Sequence, residues 1–270
     1  MNQGKAKTDK FLLGTATIML GEMGTLTELD ESKSIGLVKD VTLEFSPTYI
    51  DLQQGVTNQT VFSVRNGQDT RITGSSYEFT DTNMAYAAGL NGDKVTLVEG
   101  VPYTVKSAAA GDGSDTVELT VDTPSSPVTI VQDDHVVIHS AGFSTIAKVV
   151  DAATISTGTL VVEGNFHAKV TAGAKVTKVN VMDLGSNSRV QYLCAKIVGE
   201  LPNGDVVVIE IPKVQWTSGL SMAFTTGDFS NMALELKPTA LLTTDPDYAK
   251  YGNALVRVAM AGGVGENTAA

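Results

Sequence analysis

The residues that could support chemistry in this chain are few and widely separated. Only three histidines and one cysteine occur among 270 residues. His135 and His139 flank three consecutive apolar residues, a run typical of a β-strand, along which four residues span about 13 Å. Because one metal ion cannot reach both imidazoles at that separation, the pair does not predict a metal site.

The other reactive residue types also favour structural roles. Asp112 and Asp115 lie in a glycine-rich segment that lacks the spaced carboxylates and terminal Glu of a calcium loop, so we expect a solvated turn. Cys194 stands among apolar residues, which predicts a buried, unreactive thiol. His167 is alone, and none of the common nucleophile or phosphate-binding glycine motifs occurs. We therefore expect no catalytic residue, metal or cofactor, and predict that the protein is not an enzyme.

The bulk composition indicates a globular, strand-rich protein. Hydrophobic residues make up 42% of the chain and charged residues 18%, with 26 glycines. A formal charge of −11 repels phosphate backbones, which argues against tight nucleic-acid binding. A single cysteine cannot form an internal disulfide and fits a reducing compartment.

The N-terminal segment has some features of a signal peptide. Lys5, Lys7 and Lys10 precede an apolar stretch over residues 11–20, but Gly21 and Glu22 follow where a cleavage site is required. We expect an ordered N-terminal strand or arm, and no stretch is long enough to span a bilayer.

Period-2 alternation is the main pattern in the first third of the chain. Five apolar residues share one parity, as in a half-buried strand: Ile35, Leu37, Val41, Leu43 and Phe45. The polar residues 46–59 then predict a long loop, and Asn66-Gly67 predicts a tight hairpin turn. Residues 81–89 (DTNMAYAAG) predict a short helix with a cap at Asp81 or Thr82, and residues 229–236 are a weaker helix candidate.

The sequence pattern is different between residue 95 and residue 184. Short apolar-polar strands such as TVELTV, HVVIHS and TLVVEG are separated by Gly, Pro, Asp and Ser. This pattern predicts an inserted domain, a small barrel or a sandwich. Residues 190–198 and 205–214 then predict a hairpin around Asn203-Gly204. Its run VVVIEI is apolar on both faces apart from Glu210, so we expect cover on two sides.

The order of these elements resembles the tail tube (major tail) proteins of long-tailed bacteriophages. The resemblance covers about residues 14–91 and 184–258, and two segments carry most of it. They are GSSYEFTDTNMAYAAGL at residues 74–90 and VVVIEIPKVQWTSGLSMAFTTGDFSNMALEL at residues 206–236.

The resemblance implies a mainly β fold: a tail-tube β-sandwich with a short flanking helix and an inserted small β-domain. The sandwich would comprise residues 1–94 and 185–258, the outward-projecting insertion residues 95–184, and a flexible C-terminal tail residues 259–270. Long unpaired edge strands, expected at residues 35–45 and 206–211, would be covered by neighbouring subunits.

The resemblance also implies how the residues would act in assembly. Residues 46–59 would form an inter-ring loop, with Ser46, Tyr49, Asp51, Gln54, Val56 and Asn58 as its contacts. The tube-barrel strands would contribute Leu37, Val41, Leu43, Val206, Val208 and Glu210. The flanking helix would contribute Asp81, Met84 and Tyr86. The N-terminal arm and residues 245–258 would add inter-ring contacts.

The implied function is a structural virion protein, made and assembled in the host cytoplasm and located in the virion tail. Copies would form stacked rings, six subunits in each, without a membrane partner. Genomic DNA would pass through the acidic lumen without specific binding. Tape-measure, tail-tip and terminator proteins would be partners, and the insertion favours a non-contractile tail.

Two alternatives stay open from the sequence. The inserted β-domain and the Ser/Thr/Gly-rich turns would also suit a surface adhesin or carbohydrate-binding module. However, aromatic residues make up only 6% of the chain, and one Trp is present, which disfavours a sugar platform. A tail terminator or connector would form rings without stacking.

Overall fold

The computed structural model describes residues 16–54, 59–95, 98–110, 116–164, 169–185, 190–200, 205–223 and 229–260. The chain forms two compact units. Unit 1 combines Met1–Lys94 with Leu184–Ala270, and unit 2 is Val95–Asp183.

Strands dominate both units, so the predicted mainly β class is confirmed. The strands in chain order are β1 (Ala16–Glu22), β2 (Val38–Gln54), β3 (Gln59–Ser76), β4 (Tyr103–Val105), β5 (Ala109–Ala110), β6 (Thr116–Asp122), β7 (His135–Ser140), β8 (Phe143–Asp151), β9 (Thr159–Glu163), β10 (Lys169–Val170), β11 (Lys175–Val179), β12 (Leu193–Glu200), β13 (Val206–Trp216), β14 (Met232–Pro238) and β15 (Arg257–Met260). The α-helices are α1 (Asp81–Ala87) and α2 (Tyr248–Tyr251). Short 3₁₀ turns lie at Leu26–Glu28, Glu31–Lys33, Gly92–Lys94 and Ile155–Thr157.

The described strands of unit 1 belong to one seven-stranded antiparallel sheet. Its order is β1-β12-β13-β14-β3-β2, and β15 also pairs with β13. The sheet curls, because apolar side chains from both of its ends pack into one core. A β-bulge between Lys39 and Thr42, with Asp40 at a φ of +57°, interrupts the pairing of β2 with β3 near the N-terminal end of β2.

The core of unit 1 lies on the inner face of the curled sheet. Its fully buried members come from five strands and α1, and include Ile18, Leu20, Ile72, Tyr86, Leu193, Ile211 and Met232. A second cluster covers the opposite face of β1 and β12, where Met19 and Cys194 pack against Leu26, Leu241 and Tyr251. The sheet is therefore covered on both faces at this end.

Unit 2 contains a closed six-stranded barrel in the order β11-β4-β6-β9-β8-β7, closed by the pairing of β7 with β11. Alternation builds it: Val117, Leu119 and Val121 of β6 point inward and are buried, while the residues between them are exposed. Strands β5 and β10 pair separately.

Two expectations about turns and helices are wrong. Asn66 and Gly67 lie inside β3, because the hairpin register pairs Gln54 with Gln59 and places the connection at residues 55–58. Thr48 pairs with Gly67 and Tyr49 with Arg65, so Asn66 is the extra residue of a bulge. From residue 232 the weaker helix candidate is strand β14, because Met232, Leu234 and Leu236 alternate into the core.

The predicted hairpin of residues 190–198 and 205–214 is confirmed as β12 and β13, which pair from Glu200–Val206 onward. Its turn at Asn203-Gly204 lies outside the described residues. The helix predicted at residues 81–89 is confirmed as α1, although its cap is Thr80, whose Oγ1 accepts a hydrogen bond from the Asn83 amide.

Candidate assembly surface

Among the described residues, those first considered for chemistry do not come together. His135 and His139 both lie on β7, and His139 Nδ1 is 2.6 Å from the Ser144 hydroxyl. Cys194 is fully buried, as predicted, and burial raises the pKa of its thiol to about 11. Among the described residues, no group of three or more His, Cys, Asp or Glu side chains could hold a metal ion. His167, Asp112 and Asp115 lie outside the described residues.

The most unusual surface of unit 1 is the distal part of the β2–β3 hairpin, residues 44–54 and 59–71, called here the ribbon. Its two strands pair from Glu44–Arg71 to Gln54–Gln59. Eleven strand residues extend about 36 Å. The assignment of residues 46–59 as a loop is therefore wrong, because Ser46, Tyr49, Asp51 and Gln54 lie in β2. Val56 and Asn58 lie outside the described residues.

Part of one face of the ribbon is apolar where a solvated hairpin would be polar. Ile50 pairs with Val64, and Leu52 pairs with Phe62, so the four side chains form two adjacent cross-strand pairs on the same face. Their exposed fractions are 59% and 51%, and 62% and 61%, respectively. This set of four residues is called here the apolar face.

The opposite face of the ribbon mixes aromatic and polar groups. Tyr49 is 59% exposed and Phe45 53% exposed, and the Arg65 guanidinium lies 5.3 Å from the centroid of the Phe45 ring. The Ser63 hydroxyl donates a hydrogen bond to the Asp51 carboxylate. These contacts stabilise the geometry of the ribbon but leave both aromatic rings accessible to a partner.

The ribbon ends in the body of the sheet, where the strand residues become partly buried. Val41 and Leu43 pack against the core of unit 1, and Leu43 pairs with the fully buried Ile72. Leu37 precedes β2 and is 53% exposed, so its placement in a strand is wrong. Within the described part of the chain, β2 pairs only with β3 and leaves its other edge free, as expected for an edge strand.

The expectation that β13 is an edge strand is wrong. Val206 and Val208 pair with β12, and residues 207–210 of β13 also pair with β15. The carboxylate of Glu210 accepts a hydrogen bond from the Tyr251 hydroxyl at 3.0 Å. The C-terminal strand therefore occupies the edge of β13 that the sequence suggested was open.

Residues 245–258 are anchored on unit 1. The Lys213 ammonium lies 2.7 Å from the Asp245 carboxylate, and both side chains are buried or nearly so. The Arg257 guanidinium donates to the Lys250 carbonyl at 3.0 Å and lies over the Tyr251 ring. Whether this segment also contacts another ring stays a prediction, and the N-terminal arm, residues 1–15, lies outside the described residues.

Helix α1 fixes the connection between β1 and β2. Asn83, which is 2% exposed, donates from its side-chain amide to the carbonyls of Ile35 and Glu78, at 2.9 Å and 3.0 Å. Tyr86 is 2% exposed within the core, and burial raises the pKa of its hydroxyl. Asp81 and Met84 are half-buried. The helix therefore braces the sheet of unit 1 from its core side.

The sequence contained a signal for the apolar face that the loop interpretation missed. Ile50 and Leu52 precede the polar connection at a spacing of two, and Phe62 and Val64 follow it at the same spacing. Two alternating runs around a Gly-containing polar segment are a hairpin pattern. The Asn66-Gly67 signal, only two residues beyond Val64, placed the turn in the wrong position.

Comparison with protein-family models and with curated proteins finds no match for this chain. No helix within the described ranges is long and apolar enough to cross a membrane.

Proposed function

We propose that this protein is a self-assembling structural subunit, and that it builds the tail tube of a long-tailed bacteriophage. Copies form rings that stack through the ribbon, and unit 1 serves as the β-sandwich-like body of the tube. The genome passes through the lumen of the stack. The proposal that the assembly is a tail tube rests on the residue patterns that resemble tail tube proteins. The proposal that copies bind each other rests on the exposed apolar side chains and the free strand edge of the ribbon.

The observation that carries the proposal is the apolar face. Burying the exposed part of a large aliphatic or aromatic side chain contributes about 1–2 kcal/mol, so covering four of them contributes about 4–8 kcal/mol. Contiguous exposed apolar side chains on a soluble protein mark interaction sites. Because two-stranded ribbons are marginally stable alone, contact with another copy would also order the strands.

The free edge of β2 supports the same proposal. A strand with unpaired backbone N–H and C=O groups is a template for pairing with another chain. The described part of β2 has 17 residues and one hydrogen-bonded neighbour, so a second strand can add along it. If one copy uses this edge and the apolar face to bind different surfaces of its neighbours, the contacts are head-to-tail. Such contacts form a ring where the rotation between copies closes, and an open stack or filament where it does not.

The net charge of −11 suits a tube that conducts DNA. A negative lumen repels phosphates, so a genome moves through it without being bound. The alternative of a carbohydrate-binding module gains no support from the apolar face, because three of its four side chains are aliphatic and sugar platforms use aromatic rings.

Sedimentation velocity of the full chain at rising concentration tests the proposal. Wild type should shift to large, concentration-dependent species, and Leu52→Asp should remain small because it places a charge in the covered face. Gln53→Asp is the matched control, since it adds the same charge at the neighbouring, opposite-facing position. Equal assembly of Leu52→Asp and wild type would contradict the role of the ribbon. Species that stop at single rings would favour a terminator or connector.

A further inference from the structure

Unit 1 has an apolar groove where the start of β2 faces the paired ends of β12 and β13. Its volume is about 410 Å³. The apolar walls come from Ala16, Val38, Val41, Leu43, Val207 and Ile209. A cavity of about 150 Å³ in a protein core is enough to hold benzene, so this groove holds two or three groups of that size.

The groove is an incompletely packed margin of the core. Val41, Leu43 and Ile209 pack against the buried cluster of unit 1 but are themselves only half-buried. Protein interiors are close-packed, and apolar walls without neighbours lose dispersion contacts. The groove therefore favours an apolar occupant.

Three charged side chains also line the groove: Lys39, Asp40 and Glu200. All three are exposed, and the Lys39 ammonium lies 4.8 Å from the centroid of the Tyr77 ring. A charged occupant would be held between one positive and two negative groups and would lose water on entering the apolar part of the groove. An uncharged apolar occupant leaves the three charges solvated, so it is the better fit.

The apolar face of the ribbon has the properties that the groove requires. None of its four side chains is charged, and the neighbouring Asp51 and Arg65 lie on the opposite face of the ribbon. Leu52 and Phe62, the pair farther from the body of the sheet, are 62% and 61% exposed. The groove has room for both side chains.

The ribbon is held away from the groove of its own chain. Leu52 lies eleven residues beyond Val41 on the same strand, which corresponds to about 36 Å. Strand β3 pairs with β2 along this length, so the far end of the ribbon stays extended from its start. A ribbon that fills a groove therefore belongs to a second copy.

Symmetric packing of two apolar faces is the less suitable arrangement. The four side chains are 51–62% exposed, so together they present roughly 400 Å². A stable interface buries roughly 800 Å² on each partner. Face-to-face packing would cover only the smaller area and would stop at two copies. Insertion into a groove also buries the groove walls, and it leaves a free groove and a free ribbon for further copies.

Building on the proposed function, in which copies stack through the ribbon, we propose that the groove of one copy receives the ribbon of the next. Leu52 and Phe62 fill the groove and pack against Val41 and Ile209 of the neighbouring copy. The contact is head-to-tail, because each copy uses two different surfaces. The grooves of successive copies then lie about 36 Å apart, the length of strand that separates groove and insert in one chain.

Disulfide trapping between two separately purified variants of the full chain tests the proposal. Leu52→Cys mixed with Val41→Cys should give a disulfide-linked heterodimer after mild oxidation, identified by mass spectrometry of the linked peptides. Leu52→Cys mixed with Thr42→Cys is the matched control and should give at least about tenfold less, because Thr42 is exposed and does not line the groove. The native Cys194 is fully buried and does not compete.

The outcomes separate this contact from the proposed function. Equal yields from the two mixtures, or Leu52→Cys homodimers in place of the heterodimer, would overturn the groove as the receptor. Large wild-type species in sedimentation, together with no link between Leu52→Cys and Val41→Cys, would show that copies assemble through another surface. Wild type that stays monomeric at every concentration would contradict the proposed function as well.

Complementation provides a second test that needs no cysteine. Val41→Trp fills the groove and Leu52→Asp disables the ribbon, so neither variant should assemble alone. Their mixture should form a 1:1 dimer that grows no further, because one intact ribbon meets one intact groove. Thr42→Trp is the control and should assemble like wild type, with circular dichroism confirming that each variant is folded. A mixture that stays monomeric would overturn the proposal.

Discussion

At the scale of single residues, the Lys213–Asp245 ion pair is the best-buried charge contact described in unit 1. The side chains are 6% and 11% exposed, and the Lys213 ammonium also lies 4.5 Å from the centroid of the Tyr192 ring. Asp245 accepts a second hydrogen bond from the Leu242 amide at 2.8 Å. The hydrogen bond from Lys213, followed by that from Leu242, lowers the pKa of Asp245.

This lowered pKa predicts an acid-sensitive contribution to stability. The folded state holds the proton of Asp245 less tightly than the unfolded state, so the contribution is full above the ordinary pKa of aspartate and is lost as pH falls through the lowered pKa. The free energy of unfolding, measured by urea denaturation, should fall more steeply below about pH 4 in wild type than in Asp245→Asn. Asp245→Asn should be the less stable protein at pH 7. Parallel pH profiles would contradict this role.

Cys194 should behave as a structural thiol. Its Sγ donates to the Glu22 carbonyl at 3.1 Å, and burial raises its pKa to about 11, so the reactive thiolate is scarce at pH 8. Iodoacetamide should modify the native protein at least about a hundredfold more slowly than the urea-unfolded protein. Cys194→Ser should cost about 1–2 kcal/mol of stability, because the smaller, more polar hydroxyl loses packing in the buried cluster even where it still donates to the Glu22 carbonyl. Rapid native labelling would be the contrary result.

At the scale of elements, the connection between β1 and β2 depends on one buried amide. Asn83 bridges α1 to the Ile35 and Glu78 carbonyls, while the Asp93 carboxylate binds the Glu22 amide at 2.5 Å and the Lys33 ammonium at 2.6 Å. These contacts position the strand from which the ribbon extends. We therefore expect loss of helix docking to displace the start of the ribbon.

Asn83→Ala should destabilise unit 1 by about 2 kcal/mol, because it removes two hydrogen bonds and leaves two carbonyls without this donor. Thr80→Ala removes only the helix cap and should cost about 1 kcal/mol, which makes it the control for loss of helix stability alone. Chemical denaturation followed by circular dichroism measures both. Equal costs would show that Asn83 acts only through the helix and does not secure the strand connection.

The sequence predicted local elements better than their pairing. Helix α1 was predictable because a capping residue, helix formers and a terminal glycine lie within ten residues, and the strands of the barrel follow from alternation. The turn predicted at Asn66-Gly67 was wrong because the pairing register of the whole β2–β3 hairpin outweighs one local turn signal. The pairing of β15 with β13 joins residues about fifty positions apart, and no local pattern specifies that contact.

At the scale of the whole molecule, the two units have separate cores. The cluster of unit 2 contains only barrel residues and their neighbours, and the clusters of unit 1 contain none of them. Each unit should therefore fold without the other.

Replacing residues 95–183 with a short glycine-serine linker tests this independence. Unit 1 should unfold cooperatively and still assemble, because the whole β2–β3 hairpin, including the ribbon, belongs to it. Calorimetry and sedimentation measure the two properties, with the intact chain as the reference. A product without a cooperative transition would show that the units depend on each other.

Negative-stain electron microscopy of the purified protein at rising concentration shows whether copies of this chain assemble into a tube. We expect stacked rings or tubes with a central channel, and their loss in Leu52→Asp but not in Gln53→Asp. Particles that stay monomeric at every concentration, and also after addition of tail-tip proteins to initiate assembly, would contradict this expectation.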